Sequence, residues 1–337
     1  MNKKVKLKVL SPVHIGSGDE ITPAQYFFYK GKCNILNMTT LLKDKDFKPF
    51  FDEYLNKAAM HIAVSEYIPP EILLRNVLYK MDVVGEAVNK LANNAINIKT
   101  IVKSAGSAVV PGSSIKGSIL SAMVCYILSK ECEKDDKIKT IVTNSLREAT
   151  KGKRFNKNPD LWNNQQMLSH VMSKLGKMGS KNFTSWLRVS DSDIFPVTDS
   201  IEIRLAKVEG ARSQRGQSKL PIIYEALKAG TEFTVEIDTA NCNYPWDKIL
   251  DALCYFYNAV FDEDAKSHIL NNWEPDEDAI LLRLGQGSTA FATSMLVLAQ
   301  DLNIKEYAIK PPKTRKRIDG IPMGWVEIIG DEGNNDG

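Results

Sequence analysis

Apolar and charged residues alternate from the start of the chain. In residues 4–9 (KVKLKV), valine and leucine alternate with lysine, and this period of two predicts a half-buried strand with one basic face. A loop with two glycines follows at residues 11–19, and residues 26–35 predict a hairpin that turns at Gly31. The chain therefore begins as part of a sheet.

The apolar spacing becomes helical in two long segments. Residues 39–95 carry apolar side chains three and four positions apart, including the stretch 71–91, and we interpret them as a helical insertion in a sheet protein. Residues 111–181 are predicted to be mainly helical as well. Both segments separate the first strands from those in the second half.

Strand patterns return after residue 196. The predicted elements are a long hairpin at 197–225, a strand at 230–239, an amphipathic helix at 246–260, a strand, glycine-rich turn and helix at 279–299, and an edge strand at 324–330. This order favours the α+β class, with ferredoxin-like βαββαβ units and helical insertions over residues 1–330. Residues 331–337 are predicted to be a flexible tail.

Composition narrows the choice of partners only slightly. The formal net charge is +3, so a nucleic-acid-binding surface would have to be local. The five cysteines form no CxxC pair, which predicts buried thiols in a reducing compartment. The N-terminus lacks the apolar core of a signal peptide, and no stretch approaches the roughly 20 apolar residues of a membrane span. We expect a cytoplasmic protein without a membrane partner.

The most informative motif is VVPGSSIKGSIL, at the predicted start of a helix. Ser113 and Ser114 can donate hydrogen bonds to phosphate oxygens, Lys116 adds a positive charge one turn later, and Gly117 allows a backbone to approach. The order Lys-Gly-Ser differs from that of a phosphate-binding Walker loop. The alternative interpretation is a capped helix with a solvated lysine.

A second candidate lies in the loop after the first strand. Gly16 belongs to the turn, and His14 could stack on a base or contact a phosphate. The alternative for His14 is a hydrogen-bonded histidine at the edge of the core.

Basic residues concentrate in the predicted hairpin and near the C-terminus. The hairpin carries Arg204, Lys207, Arg212, Arg215 and Lys219, which suits contact with an RNA backbone. A further basic run occupies residues 310–317. Solvated loops and a charged connector are the alternatives.

Gly285 and Gly287 lie between a predicted strand and helix, as in half of a dinucleotide-binding fingerprint. Fewer than fifty residues follow, which leaves no room for the remaining βα units of such a domain. We therefore interpret these glycines as sites where a phosphate backbone or a neighbouring strand approaches closely.

The residues Asp191 and Asp193 are the candidates for catalysis. Two nearby carboxylates could hold Mg²⁺ in a nuclease, but no third acidic ligand or partnered histidine can be assigned. The alternative is a turn whose carboxylates satisfy backbone amides. We assign no catalytic residue, metal or cofactor.

Six segments carry a resemblance to a known family. PVHIGSG, VPGSSIKGS, LRVSDS, EALKAGTEF, RLGQGSTAF and PMGWVEI occur in the order found in CRISPR-associated RAMP proteins. Within that superfamily the chain resembles the type III-A Csm subunit that caps the 3′-end side of the crRNA. The matches extend from residue 11 to residue 328, and the helical stretches between them are not diagnostic.

The resemblance implies a ferredoxin-like (RRM-like) RAMP core with a thumb-like hairpin at 197–225. It implies a non-catalytic subunit that binds crRNA, with Ser113, Ser114, Lys116 and Gly117 against the RNA backbone. The expected partners are crRNA, the adjacent backbone and small Csm subunits, and host nucleases that mature the crRNA 3′ end in antiviral defence.

The sequence departs from the family pattern at two places. Leu120 stands where an arginine is frequent, and residues 288–290 and Thr293 replace a further glycine and a lysine. We find no equivalent of the aspartate with which related backbone subunits cleave target RNA. A metal-dependent endoribonuclease using Asp191, Asp193 or His14, and another type III RAMP subunit such as the cleaving backbone protein, remain the alternatives.

Overall fold

The computed structural model describes residues 2–150, 186–209, 222–265, 274–288, 290–304 and 315–333. These residues form a mixed α+β fold with two large sheets, as the order of sequence patterns predicted. The strands are β1 (Asn2–Val9), β2 (Gly16–Ile21), β3 (Tyr26–Tyr29), β4 (Lys32–Leu36), β5 (Val77–Val83), β6 (Ile98–Ile101), β7 (Lys103–Ser104), β8 (Ser107–Ala108), β9 (Arg188–Val189), β10 (Ile201–Glu209), β11 (Ile222–Leu227), β12 (Glu232–Asp238), β13 (Ile280–Arg283), β14 (Arg315–Ile318), β15 (Ile321–Pro322) and β16 (Trp325–Gly333).

The longest helices lie in the first half of the chain and after β12. The helices are α1 (Met38–Lys43), α2 (Phe51–Ala59), α3 (Pro70–Arg75), α4 (Ala87–Asn93), α5 (Gly112–Lys134), α6 (Asp136–Thr150), α7 (Val197–Ser200), α8 (Trp246–Ala265) and α9 (Leu296–Asp301). The rest of the segment 111–181 that was predicted to be helical, from residue 151 onwards, lies outside the described residues.

The first sheet is antiparallel and has the order β13-β16-β1-β12-β9. Val5, Leu7 and Val9 of β1 are at most 1% exposed, because their side of the strand faces the core while the lysines face outwards. Helices α5 and α8 pack against each other and against this sheet. Burial of this shared apolar surface is the main stabilising contribution to this half of the molecule.

The C-terminal strand differs from its prediction. We expected an edge strand at 324–330 and a flexible tail after it, but β16 runs to Gly333 and lies between β13 and β1. Trp325 at its start is fully buried. The sequence pattern indicates only that the strand is apolar. It cannot show that β16 has a partner on each side, because β1 and β13 come from distant parts of the chain.

The second sheet has the order β2-β6-β11-β10-β5-β4-β3, and β14 pairs with β10. The Tyr26 hydroxyl on the last strand of this order donates a hydrogen bond to the Ile96 carbonyl, 2.7 Å away, just before β6. This contact brings the two ends of the sheet together, so the sheet is curled. The predicted hairpin at 26–35 is confirmed as β3 and β4, turning at Lys30 and Gly31.

The segment 39–95 is not helical throughout. The sequence predicted helix across residues 71–91, yet Val77–Val83 is the strand β5, which pairs with β4 and β10. Met81 and Val83 are buried, and the polar residues Lys80 and Asp82 lie between and beside them. That alternation fits a strand, and the helical spacing around it came from the short helices on either side.

A buried ion pair joins α8 to the first sheet. The Arg283 guanidinium donates to the Asp264 carboxylate, and both side chains are at most 1% exposed. Arg283 also lies 5.0 Å from the centroid of the Trp325 ring and donates through Nε to the Met323 carbonyl at 3.2 Å. One side chain therefore fixes the end of β13, the end of α8 and the turn before β16.

All five cysteines are free thiols, and all except Cys254 are buried, as predicted from their spacing. Within the described part of the chain, none of the helices has the length and apolar character needed to cross a bilayer.

The Arg283–Asp264 pair makes a testable contribution to stability. In Arg283→Met, the carboxylate loses its buried counter-ion, and we expect unfolding in urea to require about 3–5 kcal/mol less free energy. Adding Asp264→Leu removes the second charge and should restore much of the loss. The surface variant Lys130→Met, which loses an exposed pair with Glu133, is the control and should leave the midpoint unchanged. A single variant as stable as the control would contradict this role.

Candidate nucleic-acid interface

The start of α5 is fixed to the segment that follows β9. The Gly112 amide donates to Asp191 Oδ1 at 2.8 Å, and Val110 and Ser192 exchange hydrogen bonds at 2.9 and 3.0 Å. A Cβ on Gly112 would collide with the carbonyl oxygens of Val189 and Ser190, so only glycine permits this approach. Two motifs that are 70 residues or more apart in sequence thus form one unit.

This arrangement explains the two carboxylates. Asp191 caps the first amide of α5, and Asp193 Oδ1 accepts from the Thr234 amide at 2.6 Å. Both carboxylates satisfy backbone donors, which favours the capped-turn interpretation over a metal site. Among the described residues, no group of three or more His, Cys, Asp or Glu side chains is arranged to hold a metal ion.

The first two turns of α5 present a small polar surface. Ser113 and Gly117 are exposed, whereas Ser114 and Lys116 are half-buried. Burial lowers the pKa of Lys116, and the positive charge of Arg188 lowers it further. A phosphate bound at this surface would raise the pKa of Lys116 again, because its negative charge stabilises the partly dehydrated ammonium.

The opposite face of the same turns is tied to the glycine-rich loop. The buried Ser118 hydroxyl donates to the Arg283 carbonyl at 2.9 Å, just before Gly285. The start of α5 therefore lies beside the loop that contains Gly285 and Gly287.

The glycine-rich loop in turn contacts the loop after β1. The Gln286 amide donates to the His14 carbonyl at 2.8 Å. Gly285 has φ +68°, and a Cβ there would collide with the same carbonyl. Gly287 has φ +102°, and its Cβ would lie 2.9 Å from Cβ of Met323. Close approach of neighbouring chain segments accounts for both glycines, in agreement with one of the two interpretations drawn from the sequence.

His14 requires a correction, because its ring is buried. The ring is 2% exposed, packs 4.5 Å from the Tyr224 ring and hydrogen-bonds through Nδ1 to the Glu225 carbonyl at 2.7 Å. Burial lowers the pKa of His14 to about 4. In this position the ring offers no face to a base, which favours the alternative of a packed histidine. Gly16, by contrast, is exposed at the start of β2.

Lys316 joins the same surface from β14. Its ammonium donates to Gln286 Oε1 at 2.5 Å and to the Tyr224 hydroxyl at 3.2 Å. Burial lowers the pKa of Lys316, and the charge of Lys99 on β6 contributes. The sequence indicated only a basic run at 310–317. The position of Lys316 beside the glycine-rich loop depends on the pairing of β14 with β10, which no local sequence pattern predicts.

The remaining basic candidates lie on β10 or beyond it. Arg204 forms ion pairs with Glu202 and Asp319, both at 2.7 Å, and Lys207 pairs with Glu86 at 2.5 Å. Lys207 is directly opposite Arg317, so this end of β10 adjoins the strand that carries Lys316. The other three candidates lie outside the described residues: Arg212, Arg215 and Lys219.

Comparisons with known proteins agree on one family. The model of the RAMP superfamily matches residues 6–290. The "CRISPR system Cms protein Csm5" of Methanocaldococcus jannaschii is 22% identical over 247 residues, which cover 69% of this chain and 52% of the relative. The chain thus spans about half the length of this curated relative.

Solved structures share the fold. A chain of the Csm–crRNA–target RNA ternary complex of a type III-A CRISPR–Cas system matches with a TM-score of 0.70 and 22% identity, over 97% of this chain and 100% of that chain. The crystal structure of T. onnurineus Csm5 matches with a TM-score of 0.62 and 21% identity, over 96% and 100%.

The buried ring of His14 predicts a pH dependence of stability. Its folded pKa lies near 4 and its unfolded pKa near 6.5, so the unfolded state binds the proton more tightly. The contribution of neutral His14 is therefore complete above about pH 7 and is lost as the pH falls from 6.5 towards 4.

This pH dependence can be tested by urea unfolding of the wild type and the His14→Gln variant at two pH values. Between pH 7 and pH 5 the wild type should lose about 2 kcal/mol more than the variant. Parallel losses in the two proteins would show that the imidazole does not resist protonation in the fold.

Proposed function

Because the chain belongs to the RAMP superfamily, we propose that it is a crRNA-binding subunit of a type III-A CRISPR effector complex. In this proposal it caps the 3′-end side of the crRNA and helps mature that end in antiviral defence. The names of its relatives, a Csm5 protein and a Csm–crRNA–target RNA complex, support the assignment to such a complex. Its partners would be crRNA, the adjacent backbone and small subunits, and host nucleases.

One observation carries the proposal. The start of α5, the glycine-rich loop and the loop after β1 are linked through Ser118–Arg283 and Gln286–His14 hydrogen bonds. The half-buried ammonium groups of Lys116 and Lys316 are attached to this unit from two sides. A phosphate backbone crossing it would meet hydroxyls, an accessible backbone at Gly16 and Gly117, and two cations.

This composition suits an RNA backbone better than a base sequence. Phosphate contacts by lysine and hydroxyl groups position a strand without reading its bases. Sequence specificity would come from pairing between guide and target, as in other RNA-guided effectors. A net charge of +3 is compatible with contact to a short length of RNA and with a large surface given to protein partners.

The finer description of the fold is also part of the proposal. The connection β1–α5–β9–β12–α8–β16 and the order β16-β1-β12-β9 correspond to a ferredoxin-like βαββαβ unit, with β13 added at one edge. Strands β10 and β11 would form the base of the thumb-like hairpin assigned to 197–225. We keep residues 39–95 as an inserted segment, now with β5 inside it.

No described arrangement favours catalysis over this role. The carboxylates of Asp191 and Asp193, the candidates for a metal-dependent endoribonuclease, are engaged by the amides of Gly112 and Thr234. A structural subunit needs only that these carboxylates hold the start of α5 in place.

The proposal is tested by co-purification. We would express the chain with its neighbouring subunits and crRNA, and then sequence the RNA ends with and without it. Loss of the mature 3′ end on omission, with target cleavage retained, is the expected result. Unchanged 3′ ends with lost target cleavage would contradict the capping role and indicate a cleaving backbone subunit.

Lys116 provides a prediction about binding energetics. If it contacts a phosphate, Lys116→Ala should flatten the plot of log affinity against log salt concentration by about one unit. Lys134→Ala, at the exposed end of the same helix, is the matched control and should leave the slope unchanged. Equal slopes in the two variants would make Lys116 an ordinary helix lysine.

A further inference from the structure

A cleft of about 330 Å³ opens where the curled sheet brings its two ends together. Aliphatic side chains from β2, β4, β5 and β6 form its walls. Among its polar lining residues, the half-buried Lys103 marks what we call the floor and the exposed Asp19 what we call the rim. Apolar walls with a few converging polar groups are typical of small-molecule and base-sized sites.

The floor is a fixed hydrogen-bond donor. Lys103 donates to the carboxylate of Glu225, which is fully buried and also accepts from the Tyr79 hydroxyl at 3.3 Å and the Ile101 amide at 3.0 Å. An ammonium has three N–H donors, so Lys103 can hold Glu225 and still donate to a ligand. Because Glu225 balances its charge, the floor has little attraction for a phosphate.

The rim is a hydrogen-bond acceptor with negative charge. The Asp19 amide donates to Ser17 Oγ at 3.2 Å, and the Asp19 carbonyl accepts from the Thr100 hydroxyl at 3.1 Å. These backbone contacts place the exposed Asp19 at the mouth of the cleft. Glu20 beside it is paired with Lys99 at 2.8 Å. The rim therefore repels phosphates and favours a ligand with N–H donors.

The cleft adjoins the candidate interface. Ser17 directly follows the exposed Gly16, and Glu20 at the rim pairs with Lys99, whose charge acts on Lys316. An RNA backbone attracted to these two lysines would pass the mouth of the cleft with its phosphates outside. A base turned away from the backbone would then reach the apolar walls.

We propose that this cleft binds one unpaired RNA base and prefers guanine. Guanine is the base whose carbonyl, O6, lies next to two N–H donors, N1 and N2. Lys103 would donate to O6, and the Asp19 carboxylate would accept from N1 and N2, while the ring packs against the aliphatic walls. Adenine lacks the carbonyl. This inference rests on the proposed function, since the RNA backbone must be held at the neighbouring surface.

The test uses the full chain and twelve-nucleotide oligouridines that carry a single central G or A, with affinities measured by fluorescence anisotropy. We expect the G oligonucleotide to bind roughly tenfold more tightly than the A oligonucleotide, as a bidentate base contact discriminates. Asp19→Ala should abolish this preference, because the acceptor for N1 and N2 is lost while the backbone contacts of Asp19 keep the loop in place. Asp52→Ala, an exposed aspartate on α2, is the matched control and should keep the preference.

The other outcomes overturn the proposal at different levels. Equal affinities for G and A in the wild type, or a preference that survives Asp19→Ala, would refute the base site and leave RNA binding intact. Failure of the wild type to bind any oligonucleotide would count against the proposed function itself. If purified partner subunits protect Asp19 from carbodiimide labelling without RNA, the cleft holds a protein side chain and the base site is refuted.

Discussion

The candidate interface depends on the close contact between Gly285 and the His14 carbonyl. Residue 285 adopts a positive φ, and no side chain fits between it and that carbonyl. The same carbonyl accepts a hydrogen bond from the Gln286 amide. This contact joins a loop near the N-terminus to a loop about 270 residues later in the sequence. The buried Arg283–Asp264 pair and the Ser118 hydroxyl fix the same loop from beneath. The polar surface above is therefore held in place by close backbone contacts, hydrogen bonds and a buried ion pair beneath it.

Parts of the fold that repeat a local pattern could be predicted from the sequence. β1 and helix α8 each bury one face, and their periodicity states which one. The β3–β4 hairpin was visible from its turn at Gly31, and α5 from its long apolar stretch, although α5 is buried on most of its sides. The predictions were wrong where the type or position of a strand depends on the strands that pair with it. β5 is short and flanked by helices, and β16 gained a second partner that no local pattern reveals. Sheet order depends on contacts between distant segments, which a single sequence does not display.

The candidate site shows the same division. The helix start with Ser113, Ser114, Lys116 and Gly117 was visible in sequence because a Pro-Gly turn before an apolar stretch marks a helix start. The cap is not one of these serines: the helix begins after Pro111, and Asp191 accepts from its first amide. Its attachment to Asp191 and to the glycine-rich loop was not visible, since both contacts link remote residues. His14 had a plausible role in RNA contact, but burial against Tyr224 assigns it to the core. Lys316 gained significance only through the pairing of β14 with β10.

The central claim is that RNA crosses the surface formed by the start of α5, the glycine-rich loop and β14. The most direct measurement is photo-cross-linking of crRNA containing 4-thiouridine within the assembled complex, with the cross-linked peptides of this chain identified by mass spectrometry. The account predicts cross-links within residues 113–117, 284–288 and 315–317. Cross-links confined to the helices of residues 38–75 would contradict it.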